Sequence, residues 1–155
     1  MKGNTEIIVT LNDLLADELT AINQYMVHSE MCANWGYGQL HEAVEKRAIV
    51  EMRHAEKLIE RILFFEGRPT VSQLKAIHIG SDVQGQFQRD LEAELGAVAL
   101  YNKAIGQALE LGDQGTRAIL EAILRDEEDH VDWLETQLDQ IAQMGIQNYL
   151  VEKVG

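Results

Sequence analysis

Glycine and proline divide this chain into four long segments that each have the periodicity of an amphipathic helix. Pro69 is the only proline among 155 residues, and the main glycine-containing breaks lie near positions 36, 67, 80 and 112. Between the breaks, apolar residues recur every three or four positions, as at Leu11, Leu15 and Leu19. This pattern predicts helices over residues 5–34, 39–66, 82–111 and 116–144, and a short last helix over 146–152.

The lengths of the connections predict how these helices pack. Short breaks after the first and third helices make each pair antiparallel, whereas residues 68–81 form a connection long enough to run along a bundle. No sustained strand-type alternation is present. The sequence therefore predicts an all-α protein: a single domain over residues 1–155, folded as a ferritin-like four-helix bundle with one long crossover and a short C-terminal fifth helix.

The acidic charge balance disfavours some classes of partner. With 26 acidic and 13 basic residues, the chain has a formal net charge of −13, which repels nucleic-acid backbones and attracts cations. No apolar run reaches membrane-spanning length, no signal-peptide pattern stands at the N-terminus, and Cys32 is the only cysteine. We expect no nucleic-acid partner, no membrane association and a cytoplasmic location.

A repeat with a register of 76 residues relates the two halves of the chain. Each half carries an isolated glutamate and then, 33 residues later, a Glu-x-x-His motif. A tyrosine also recurs in this register. The matched pairs are Glu18 and Glu94, Tyr25 and Tyr101, Glu51 and Glu127, and His54 and His130.

The repeated residues have the chemistry of a two-metal site. Glutamate and histidine three positions apart lie on one helical face, and both motifs are in phase with apolar core positions. Four buried carboxylates repel one another unless cations neutralise them, and two divalent ions would balance their charge. One glutamate from each of two helices, with Glu-x-x-His from each of two others, is the di-iron or di-manganese carboxylate pattern. The predicted ligands are Glu18, Glu51, His54, Glu94, Glu127 and His130.

Position on the helices suggests a role for each ligand. Glu51 and Glu127 are expected to bridge the two metals, Glu18 and Glu94 to bind one metal each, and the histidines to complete each metal's ligand set. Tyr25 lies two turns after Glu18 on the same face. It is expected either to hydrogen-bond a ligand or donate an electron, or to be an ordinary core tyrosine. Trp133 is open to the same two interpretations.

Further motifs resemble those of the bacterioferritin family over essentially the whole chain. They include residues 1–3, Asn-Gln-Tyr at 23–25, Asn-Trp-Gly at 34–36, Glu-Met-Arg-His-Ala-Glu at 51–56, Arg-Ile-Leu at 61–63, Glu-Gly-Arg-Pro at 66–69, Ile79-Gly80 with Asp82, and residues 144–150. The most specific run is Leu-Arg-Asp-Glu-Glu-Asp-His-Val-Asp-Trp-Leu-Glu-Thr at 124–136. All six ligands of the family's ferroxidase centre stand at the positions predicted above.

The resemblance implies an iron-storing ferroxidase. It implies a hollow shell of 24 subunits built from dimers, which oxidises Fe(II) with O₂ or peroxide at two irons per subunit and stores Fe(III) mineral. A ferredoxin-like reductant for iron release and a fifth helix at a symmetry axis are implied as well. So is b-type haem shared by two subunits, with Met52 as the axial ligand. The implied haem-lining residues are Leu19, Ile22, Asn23, Met26, Trp35 and Ile49.

Three positions depart from some relatives, and two other functions remain open. Leu58 stands where some relatives have tyrosine, and Lys46 and Val50 replace an inner-surface iron site. An electron route and an accessory iron site are therefore not expected at these positions. The alternatives are a di-iron or di-manganese oxidase or peroxidase without mineral storage, and a haem-binding or structural assembly without enzymatic activity.

Overall fold

The computed structural model describes all residues, 1–155, and confirms the all-α prediction. Four long helices form a bundle and a short fifth helix follows them. The elements are α1 (Thr5–Asn34), α2 (Gly38–Phe64), α3 (Val83–Glu110), α4 (Gln114–Met144) and α5 (Ile146–Val151). None of these helices is both long enough and apolar enough to cross a membrane.

Side-chain caps fix the starts of three helices. Asn4 accepts hydrogen bonds from the backbone N–H groups of residues 6 and 7 at the start of α1, and Asp82 accepts from Gly85 at the start of α3. At α4, Asp113 accepts from the N–H of Thr116 at 3.0 Å. Because Asp113 is the cap, α4 begins at Gln114, two residues before the predicted start.

The end of α2 departs from the prediction because the residue with left-handed backbone is a glutamate. Glu66 has φ of 60°, and its N–H donates to the carbonyl of Leu63, while the N–H of Gly67 donates to Ile62. This pair of bonds is the Schellman ending, so α2 stops at Phe64 instead of Glu66. Gly67 is needed for space: a Cβ there would lie 2.9 Å from the side chain of Ile8.

The crossover between α2 and α3 follows α1 along the bundle. It is needed because α1 is antiparallel to both α2 and α3, so α2 and α3 run in the same direction and a tight turn cannot join them. Four backbone N–H groups of the crossover, at positions 70, 75, 78 and 80, donate to side chains of α1. Their acceptors, in order, are Asn12, Thr20, Gln24 and His28.

Two hydrophobic clusters leave a polar layer between them in the middle of the bundle. On α1, for example, Leu15 belongs to one cluster and Cys32 to the other, with Glu18 between them. On α4, Ile123 and Leu134 flank the second Glu-x-x-His motif in the same way. Apolar packing on both sides thus fixes the position of the buried acids and histidines.

Candidate metal centre

All six predicted ligands lie in this buried layer, contributed by all four long helices. α1 contributes Glu18, α3 contributes Glu94, and α2 and α4 each contribute one Glu-x-x-His pair. None of the six is more than 7% exposed. The 76-residue repeat is therefore a repeat in space, since the two halves contribute matching residues to one cluster.

The first half of the cluster surrounds His54. Its Nδ1 lies 3.1 Å from Glu127 Oε1, 3.7 Å from Glu18 Oε2 and 3.8 Å from Glu51 Oε2. One potential ligand atom from each of these four residues lies within 4.8 Å of all the others. This spacing is compact enough for one ion to contact all four residues.

The second half contains Glu94 and His130, together with an arginine. His130 Nδ1 lies 2.9 Å from Glu94 Oε1. The Arg47 nitrogen Nη2 lies 2.7 Å from Glu51 Oε1, 3.2 Å from Glu127 Oε2 and 3.9 Å from Glu94 Oε2. Glu51 and Glu127 therefore each direct one oxygen toward His54 and the other toward Arg47.

The proton affinities of these groups reflect burial and crowding of like charge. Burial raises the pKa of Glu51 to about 7, and the neighbouring Glu18 carboxylate adds to the shift. Burial also raises the pKa of Glu94 well above its usual value. For His54, burial lowers the pKa, but the bonds to Glu127, Glu18 and Glu51 outweigh it and raise the pKa to about 12. The cluster therefore favours cations strongly.

Several buried polar atoms of the cluster have no hydrogen-bond partner. Glu18 Oε2 and Glu94 Oε2 accept no hydrogen bond, and Glu51 Oε1 approaches Arg47 without hydrogen-bond geometry. An unpaired buried carboxylate oxygen is costly, and a cation bound beside it removes that cost. Oxygen and imidazole donors suit iron or manganese better than soft metals. The donor set thus fits two such ions.

Two tyrosines hold Glu94 and Glu18 from across the bundle. The hydroxyl of Tyr25 on α1 donates to Glu94 on α3, and the hydroxyl of Tyr101 on α3 donates to Glu18 on α1 at 2.6 Å. Both tyrosines are fully buried. Tyr25 is thus in contact with the cluster, and Tyr101 is its symmetric counterpart, which the 76-residue register already indicated.

Sequence reasoning missed two further residues, Arg47 and Asp126. Asp126 Oδ2 lies 2.8 Å from His54 Nε2, so it accepts a hydrogen bond when that nitrogen carries the proton. This leaves Nδ1 free to face the carboxylates, as a metal-binding imidazole requires. The sequence signals that could have indicated these two residues are local: Arg47 is one turn before Glu51 on α2, and Asp126 precedes Glu127.

Trp133 stacks on His130 with ring centroids 5.9 Å apart.

A cavity of about 300 Å³ extends from the cluster to the outside of the bundle. At its inner end are Glu51, Glu94 and Glu127, and at its outer end Lys75 and His78 of the crossover. Its walls come from α1 and α3. Small ions and molecules thus have space between the crossover and the buried carboxylates.

The residues implied for haem binding lie on α1, on α2 and at the turn between them, and most are exposed. Met52 is 40% exposed, Met26 50%, Ile49 46% and Trp35 37%. Leu19, Ile22 and Asn23 are half-buried. Of the departures from relatives, Leu58 is a fully buried core residue, Lys46 is exposed and Val50 is half-buried.

Comparison with known proteins agrees with this geometry. The model of the ferritin-like domain matches residues 8–144. The chain is 41% identical to the bacterioferritin of Brucella melitensis over 96% of this chain and 92% of that protein. The chain belongs to the bacterioferritin family. The bacterioferritin of Mycolicibacterium paratuberculosis is 40% identical over 99% of this chain and 97% of the relative, and that of Rhodobacter capsulatus is 40% identical over 96% and 92%. The family resemblance noted from the motifs is confirmed.

Proposed function

We propose that this chain is an iron-storage ferroxidase. In this proposal the six buried ligands bind two Fe(II) ions, O₂ or peroxide oxidises them, and Fe(III) mineral collects inside a hollow shell of 24 copies. The observation that carries the proposal is the convergence of four carboxylates and two imidazoles in one buried layer, with carboxylate oxygens that lack protein donors. Membership of the bacterioferritin family supports the storage role.

The protein's own groups would prepare the site for Fe(II), the substrate. Glu51 and Glu127 would bridge, because each carboxylate has one oxygen on either side of the cluster. Glu18 and Glu94 would be terminal ligands, each held in orientation by a tyrosine hydroxyl from the opposite helix. His54 would bind through Nδ1, since Asp126 accepts a hydrogen bond from Nε2–H. A pair of ferrous ions can supply two electrons to one oxidant molecule.

Iron uptake by the assembled protein tests this function. Fe(II) should be oxidised with consumption of O₂ or peroxide, and far more than two iron atoms per chain should stay soluble as a ferric core. Size-exclusion chromatography should give a mass near 24 times that of the 17.5 kDa chain. A dimer or tetramer that oxidises the metal without a core would instead indicate a di-iron or di-manganese oxidase or peroxidase. A protein with a haem spectrum but no iron-dependent oxidant uptake would indicate a non-enzymatic assembly.

We also propose that b-type haem binds between two subunits, with Met52 of each copy as axial ligand. Met52 has an exposed thioether on α2, and α1 and α2 also carry other exposed apolar side chains. Such an apolar surface is better suited to contact with a flat apolar group than to contact with water. The haem iron would supply one-electron transfer across the shell. Met52 would fix its ligation and the apolar side chains would exclude water from it.

Replacing Met52 with leucine should remove the haem spectrum. Leucine keeps the apolar volume but has no sulfur, so reconstituted protein should lose at least about nine-tenths of its Soret absorbance while keeping its assembled mass. Met144→Leu is the matched control, because Met144 is similarly exposed on α4. An unchanged Soret band in Met52→Leu would rule out this ligand.

On family resemblance alone, we further propose a ferredoxin-like reductant for iron release and a cytoplasmic location.

A further inference from the structure

Arg47 is the only arginine or lysine side chain in direct contact with the carboxylate cluster. Its nitrogen Nη2 lies within 4 Å of Glu51, Glu94 and Glu127, three of the proposed iron ligands. A single positive nitrogen among three carboxylates resembles, in charge and in surroundings, a metal ion in the second half of the site.

The two halves of the cluster differ because of this arginine. Around His54, the ligand atoms of four residues lie close together, and no arginine or lysine side chain lies among them; the imidazole there is itself one of the proposed ligands. On the other side, Arg47 contacts Glu51 Oε1 and Glu127 Oε2, the same oxygens that a second ion would need. An ion entering the first half therefore meets no guanidinium, whereas an ion entering the second half competes with Arg47 for the same oxygens.

Arg47 is also incompletely satisfied in this position. Its Nε is buried without a hydrogen-bond partner, and Glu94 Oε2, 3.9 Å from Nη2, has none either. A guanidinium in a permanent structural ion pair would direct its donors to well-placed acceptors. Its side chain is 12% exposed, against 2% or less for the three carboxylates around it, so it has some access to solvent.

We propose that Arg47 is a resident cation that occupies the second half of the metal centre and must leave before a second ion binds. The inference rests on the proposed metal centre and adds an order of filling to it. The half around His54 fills first. The second half fills only at the cost of displacing the guanidinium, so the second ion binds more weakly than the first.

Titration of assembled, metal-stripped protein with Co(II) tests this order without iron oxidation. Calorimetry and the visible absorption of bound Co(II) should resolve two unequal sites per chain in the wild type. In Arg47→Met, which keeps the aliphatic stem but loses the charge, the second affinity should rise by about tenfold or more, because a contacting cation no longer competes. The first affinity should change much less. Arg53→Met is the matched control, because Arg53 lies on the same helix, is exposed and pairs only with Glu56.

Anomalous diffraction from crystals with one Co(II) per chain locates the first ion. The expected result is density beside His54, with Arg47 still in contact with Glu51. At two Co(II) per chain, Arg47 should have moved away from the carboxylates. Should Arg47→Met fail to assemble, Arg47→Gln removes the charge while keeping hydrogen-bonding capacity.

Three results would overturn the inference. They are equal affinities in the wild type, equal tightening of both sites in Arg47→Met, and a first ion shared evenly between the halves. Equal tightening would mean that Arg47 acts only through its long-range field. If neither protein bound Co(II) at the cluster, the proposed metal centre would itself be wrong, which is a different outcome.

Discussion

The double substitution Glu51→Gln with Glu127→Gln is expected to lower the initial rate of Fe(II) oxidation by about a hundredfold or more. Each of these carboxylates directs one oxygen into each half of the cluster, so both proposed metal positions would lose two charged ligands at once. Glutamine keeps the shape of the side chain, so assembly should be preserved. Stopped-flow absorbance and O₂ uptake measure the rate, and Co(II) titration measures the loss of binding.

The matched control for this pair is Glu45→Gln with Glu121→Gln. These residues follow the same 76-residue register on the same two helices but point away from the cluster, where Glu45 is exposed and Glu121 half-buried. The control removes the same number of charges per chain, so it separates ligand loss from a change in net charge. Similar rates for the two double variants would show that the oxidation site lies elsewhere.

His28→Ala is expected to lower the free energy of unfolding by about 2–4 kcal/mol, because it leaves the buried Asp90 carboxylate and the Gly80 N–H without their imidazole partner, at about 1–3 kcal/mol each. His28 is fully buried on α1, where Nδ1 lies 2.9 Å from Asp90 Oδ1 and Nε2 accepts from the N–H of Gly80. Truncation leaves a buried carboxylate with only its bond from Gln24 and removes one attachment of the crossover. Thermal and chemical denaturation of the assembled protein measure the change.

Two further variants make the stability prediction specific. His78→Ala should stay within about 0.5 kcal/mol of the wild type, because His78 is exposed and only its backbone N–H bonds α1. Adding Asp90→Asn to His28→Ala should recover part of the loss by removing the unpaired charge. A His28→Ala protein as stable as His78→Ala would mean that the attachment of the crossover does not depend on the contacts of His28 with Asp90 and Gly80.

The sequence predicted the bundle because its signals are local and periodic. Apolar spacing and the breaks at glycine and proline depend only on neighbouring residues, so the bounds of α1 match the prediction fully. The bounds of α2 and α4 differ by up to two residues. The cause is the geometry of single residues, the left-handed Glu66 and the cap formed by Asp113, which composition does not reveal.

The convergence of the six glutamates and histidines also followed from the sequence. Residues three apart share a helical face, and a repeat of 76 residues places matching faces on paired helices, so the sequence alone predicted that these side chains meet. The same register pairs Tyr101 with Tyr25, and the structure places both tyrosine hydroxyls on glutamates of the cluster.

Only the tertiary structure decided which other side chains contact these glutamates and histidines. Arg47 enters the cluster from α2 and meets Glu127 and Glu94 from two other helices, and Asp126 orients His54 across the bundle. Contacts of this kind depend on the reach of long side chains between helices, and helical spacing does not encode that reach. The sequence by itself thus determined a four-helix bundle with a two-fold set of potential ligands. The packed structure decided that the two halves of that set are unequal, because the guanidinium of Arg47 lies among the carboxylates of one half and not of the other.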